Sequence, residues 1–156
     1  MLTRLILFVV LGVFVTWVVR TARKELASLP DDKVRRASKQ HASLDRAVVH
    51  RAGLASLKGE ADVLAEADRI LAMMAELVER REILVEIRDG SDSETAGDEV
   101  TGIDVTLARS EQRLKEALEL LVGEQVADVR TELKAASTDL REEVRARREI
   151  RTVERG

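Results

Sequence analysis

The chain has 156 residues, 35 % of them charged and only 2 % aromatic, with 26 basic against 29 acidic side chains and a net charge of −3. That near-balance and the scarcity of stacking rings argue against nucleic acid as a partner. The lack of cysteine excludes disulfides, thiolate chemistry and Cys-based zinc sites. What remains is Leu, Val, Ile and Ala mixed with Glu, Arg and Lys, with one proline, which is the composition of long helices rather than of an aromatic-rich globular core.

Residues 5–19 carry no charge and include all three aromatic side chains, Phe8, Phe14 and Trp17. Fifteen helical residues span about 22 Å, short of the ~30 Å hydrocarbon core, but residues 1–22 reach about 33 Å with Arg4 and Arg20 placed to snorkel at the two surfaces. Trp17 lies one turn before Arg20, an interfacial depth. A cleaved signal peptide is the alternative. It calls for small residues just after the apolar run, where Arg20, Arg23, Lys24 and Glu25 stand instead. Residues 1–22 therefore read as a single transmembrane anchor, with Leu5, Phe8, Leu11, Phe14, Trp17 and Val19 as its membrane-facing residues. The basic excess that follows it places the C-terminal part in the cytoplasm.

Residues 23–37 form a basic juxtamembrane helix broken at Pro30, with Asp31 and Asp32 suited to the first turn of a new helix. Residues 38–89 make the first arm of a long antiparallel helical hairpin. It carries two adjacent apolar series, Leu57, Leu64, Leu71, Val78 and Val85, and Val63, Ile70, Leu77 and Leu84, a face wider than a two-stranded seam. Residues 90–101 lack apolar periodicity, are acidic and read as a loop. Thr101 as N-cap with Asp104 three residues on then opens the second arm, residues 102–154. Leu107, Leu118, Val129 and Leu140 repeat there at eleven residues, which implies a nearly straight course.

Folding the arms together at a residue-number total of about 192 brings apolar positions level. Val85 meets Leu107, Val78 meets Leu114, Met74 meets Leu118 and Leu71 meets Leu121. The same register sets Arg81 against Glu111 and Arg88 against Asp104, polar pairs that can fix register within an apolar seam. Each arm extends about 75 Å, with the acidic loop at the far tip and basic segments at the membrane end. The second apolar series needs another partner, so a homodimer or a complex with another helical protein is expected.

Reactive constellations are sparse. His41 and His50, nine residues apart on one helix, would face opposite ways and read as partly exposed. Neither a phosphate-binding glycine loop nor a paired Glu-x-x-His signature occurs. The expected class is all-α and non-enzymatic, without metal, cofactor or identified small-molecule substrate: a membrane-anchored scaffold or adaptor acting through coiled-coil contacts. Alternatives are a lipid-responsive amphipathic module or, if the N-terminus is cleaved, an exported chaperone-like helical protein.

Overall fold

The computed structural model describes residues 32–57, 60–91, 94–123 and 125–153. The expected anchor, with Leu5, Phe8, Leu11, Phe14, Trp17 and Val19, and most of the juxtamembrane segment lie outside the described residues. Those that are described form five helices: α1 (Asp32–Ser38), α2 (Ala42–Ser56), α3 (Ala61–Ser91), α4 (Glu94–Val122) and α5 (Val126–Val153). None of them is long and apolar enough to cross a membrane.

The central element is an antiparallel hairpin of α3 and α4. α2 packs against both on one side and α5 packs against both on the other, while α2 and α5 make almost no contact. Cross-helix partners give the directions. His41, Arg46 and Gly53 of the α2 segment approach Asp104, Glu111 and Leu118 in ascending order, so α2 runs parallel to α4. Glu60 and Glu76 meet Arg130 and Arg148, so α5 runs parallel to α3. α1 lies against α3 and the start of α2.

Each expected straight arm is thus divided once more, between Ser56 and Ala61 and between Val122 and Val126. Leu57 closes α2 by donating its N–H to Gly53 O, and Gln125 N–H reaches back five residues to Leu120 O, closing α4. No proline marks either turn. The cause lies in the width of the apolar face. In an extended hairpin one of α3's two apolar series would stay wet. With the arms folded back, Val63, Ile70 and Leu77 of one series and Leu71 and Val78 of the other are all at most 1 % exposed within a single chain. Each such aliphatic side chain contributes roughly 1.5–3 kcal/mol when fully buried, far more than an extra turn costs in loop closure.

The stretch 90–101, expected to be a loop, is helical apart from residues 92–93, which lie outside the described residues. Ala96 and Val100, each 5 % exposed, extend upstream the stripe of Ile103 and Leu107, each 0 % exposed, with alternating spacings of four and three. Thr101 does not cap a helix. It sits inside α4 and donates its hydroxyl to Gly97 O at 3.0 Å, as Thr106 does to Gly102 O at 2.9 Å. Gly90 likewise falls within the last turn of α3.

With α3 running to Ser91 and α4 beginning at Glu94, the hairpin register shifts by one heptad. Arg81 pairs with Asp104, a residue-number total of 185 rather than 192, its Nε donating to Oδ1 at 2.6 Å. Arg80 pairs with Glu99 through Nε at 2.8 Å. Glu111, the expected partner of Arg81, belongs instead to Arg46, and Arg88 pairs with its neighbour Asp89 rather than with Asp104.

Refolding the arms also redistributes charge. α5 runs back along the hairpin toward the α3–α4 tip: Arg148 meets Glu76 at the middle of α3 and Arg147 lies over Gly102. The basic C-terminal segment therefore approaches the acidic tip instead of standing far from it.

α2 and α4 approach tightly at Gly53, where a Cβ would lie 2.8 Å from Leu118 Cδ2. Gly53→Ile should lower stability by about 2 kcal/mol in denaturant unfolding, because overpacking here pushes Leu118 and α2 apart. A double-mutant cycle should give about 1 kcal/mol of coupling between Arg81 and Asp104 and none between Arg81 and Glu111. The opposite pattern would restore the extended register.

Candidate functional site

Of the residues the apolar pattern picks out, Leu71, Met74, Val78, Leu107 and Leu114 are 0 % exposed. Leu118 and Leu121 are partly buried against the core, and Val85 is half-buried near the end of α3. The polar residues it picks out, Arg81, Asp104 and Glu111, do not form one seam pair. They belong to two stations of a polar ladder that joins α2 to the α3–α4 hairpin.

The upper station centres on Asp104 of α4. Arg81 of α3 grips it through Nε at 2.6 Å and Nη2 at 3.4 Å, and His41 Nε2 lies 3.1 Å from the same Oδ1. His41 is also the N-cap of α2. Its backbone is extended, φ −138° and ψ 122°, and its Nδ1 accepts the N–H of Ser43 at 3.3 Å. An ionised carboxylate only accepts, and a ring nitrogen that accepts an N–H carries no proton. In the tautomer with hydrogen on Nε2 the ring donates to Asp104 and accepts from Ser43.

The lower station lies seven residues on. Arg46 grips Glu111 with Nε at 2.8 Å and Nη2 at 2.7 Å, a bidentate fork, and His50 Nε2 stands 3.8 Å from Glu111 Oε1. Each station thus shares one carboxylate between a permanent cation and an imidazole. Arg51, next along α2, forks onto Asp68 of α3 at 2.8 and 3.1 Å.

The environment shifts the protonation of these groups. Burial disfavours the charged form of His50 and lowers its pKa; Lys115 and Arg46 push the same way and Glu111 opposes them. For Asp104, burial works against ionisation, but hydrogen bonds from Arg81 and His41 outweigh it and hold the carboxyl below its ordinary value. The hydrogen bond from Arg46 does the same for Glu111 against its own burial.

The histidines were the residues that sequence reasoning missed. The opposite-faces argument presumes that both sit on one helix, whereas His41 precedes α2 as its cap. The available signal was its place just before an apolar-periodic run beginning at Leu44. What the ladder does chemically is orient and register. Its carboxylates are held by arginine and imidazole donors, and among the described residues no group of three or more His, Cys, Asp or Glu could hold a metal ion.

A shallow cleft of about 320 Å³ between α3 and α5 is lined by Asp62, Glu66, Arg69, Arg130, Lys134 and Arg141 among others, its carboxylates paired to Arg130 and Arg69. Comparison of the chain with protein-family models, with curated proteins and with solved structures yields no match.

The carboxylates have lowered pKa values, so their contribution is fully present above about pH 4 and is lost as pH falls through their folded values below that. Glu111→Gln should therefore flatten the acid limb of the thermal-unfolding profile below pH 4 while leaving the chain helical at pH 7. An unchanged limb would mean that Glu111 is not held by Arg46 in solution.

Proposed function

We propose that the chain is a non-enzymatic helical adaptor tethered to a membrane by residues 1–22, with its helical part on the cytoplasmic side. One observation carries this reading. The described helices complete a core among themselves, from Val34 at 3 % exposure to Val144 at 5 %. Residues 5–19 are then left as an uncharged run that the bundle does not need, and a bilayer is the environment that accommodates it.

The adaptor contacts protein through its outer surface. Ile83, Ile87 and Val105 are 50 %, 48 % and 54 % exposed, and they offer an aliphatic surface to a second copy or to another helical protein. With both apolar series of α3 covered inside one chain, such association adds to a folded monomer rather than completing it.

A second reading draws on α1, whose Lys33, Arg35 and Arg36, with Lys39 just beyond, are exposed eleven to seventeen residues after the tether. That basic surface suits an anionic leaflet, where it would hold the bundle close to lipid.

In cell fractionation the full chain should stay with membranes through an alkaline carbonate wash, at the mass of the uncleaved sequence. A variant lacking residues 1–22 should be soluble, helical and cooperatively folded. Cleavage after the apolar run, or a truncated chain that fails to fold, would contradict the tethered-adaptor reading. Binding of the truncated chain to anionic vesicles that fades between low and physiological salt would favour the lipid-facing role of α1.

A further inference from the structure

We propose that two copies of this chain pair side by side in one membrane, the acidic α3–α4 tip of each seated against the basic α1 of the other. The pairing rests on the tethered-adaptor reading and names the partner of its outer surface as a second copy.

Acid and base stand at the same end of the bundle. Arg51 of α2 meets Asp68 of α3, and His41 lies at the Arg81–Asp104 pair. Moving toward the N-terminus along α2 therefore moves toward the α3–α4 tip. α1 precedes His41, touches α2 only at its start and lies against α3, which sets it on the tip side of that station.

The two surfaces are opposite in sign. On α1 and just beyond it Lys33, Arg35, Arg36 and Lys39 are exposed. Asp32 pairs with Arg35 at 2.9 Å, and an excess of positive charge remains. At the tip Glu86, Asp89, Glu94 and Asp98 are exposed, and Arg88 answers Asp89 at 3.0 Å. Glu86, Glu94 and Asp98 stand outside every ion pair among the described residues. Ile83, Glu86 and Ile87 share one face of the end of α3, with the isoleucines 50 % and 48 % exposed. Lysine and arginine suit such a face, because their aliphatic stems cover isoleucine while their heads reach the carboxylates.

Opposite patches at the same end of one molecule are self-complementary. A two-fold axis seats each tip on the other copy's α1 and closes the contact. A tether holds that end of every copy at the same height. Two half-exposed isoleucines and exposed ion pairs, each worth about 0–1 kcal/mol, are too little for a tight dimer in free solution. Confinement to one membrane raises the effective concentration and populates the weak pair.

The test is energy transfer between copies of the full chain in phosphatidylcholine vesicles. Donor or acceptor is carried on Thr131→Cys, an exposed site in a chain with no cysteine of its own. Transfer should exceed the chance level of a dilute mixture about twofold or more at low salt and fall to that level near about 1 M salt. Two charge-inverted variants are compared: Arg35→Glu with Arg36→Glu and Lys39→Glu, and Glu86→Lys with Glu94→Lys and Asp98→Lys. Neither should show transfer with itself, and the two mixed should restore it, because each then meets its opposite at both contacts. Chance-level transfer in the unmodified chain would overturn the pairing, as would transfer indifferent to salt. So would transfer within either variant alone, or none in the mixture. Should a variant lose helix content by circular dichroism, the salt response of the unmodified chain decides alone. Co-flotation reads the tether separately: a chain that does not float with the vesicles fails both readings, and one that floats without this pattern fails only the pairing.

Discussion

An apolar face wider than one neighbouring helix can cover is the constraint from which this structure follows. α3 carries Val63, Ile70 and Leu77 beside Leu71 and Val78, and no single antiparallel partner can shield both rows. The chain meets this by ending α2 at Ser56 and α4 at Val122, so that α2 and α5 close over the two sides of the α3–α4 hairpin. Burial of aliphatic side chains supplies most of the stability, at roughly 1.5–3 kcal/mol for each large one fully buried, while exposed ion pairs contribute about 0–1 kcal/mol each. The polar pairs act on register instead. Arg81–Asp104 selects one heptad setting of the hairpin, and Arg46–Glu111 and Arg51–Asp68 seat α2 on it.

The same division between apolar closure and polar register holds at α2. α2 packs on α3 and α4 through Leu44, Ala47, Val48, Ala52 and Leu54, and carboxylates shared with imidazoles set its position along them. It also stands on the chain between the N-terminal segment and the rest of the bundle.

Helicity was legible in the sequence because apolar residues recur at three- and four-residue spacing and strong breakers are scarce. The extra turns were not legible, because what drives them is the summed burial of distant faces, and neither turn contains proline. The start of α4 was hidden by composition. Residues 90–99 look polar, and only Ala96 with Val100 continues the buried stripe, a signal too small to stand out among Ser, Asp and Glu. Misplacing that turn carried every expected polar pair one heptad out of register. His41 was misjudged for a related reason, since its role depends on where α2 begins and on which side of Asp104 the helix docks.

The central claim, that each arm folds back so that α5 runs parallel to α3, is tested most directly by electron–electron dipolar spectroscopy. Spin labels would be placed at Glu76 and Arg148, with unlabelled chain added in excess to suppress distances between copies. These residues contact each other in the bundle, through Arg148 Nε at 2.6 Å from Glu76 Oε1. The labels should therefore lie on the order of 20 Å apart or less. In an extended hairpin Arg148 would stand some thirty residues of helix away from the level of Glu76, about 48 Å. A distance near that value would contradict the bundle.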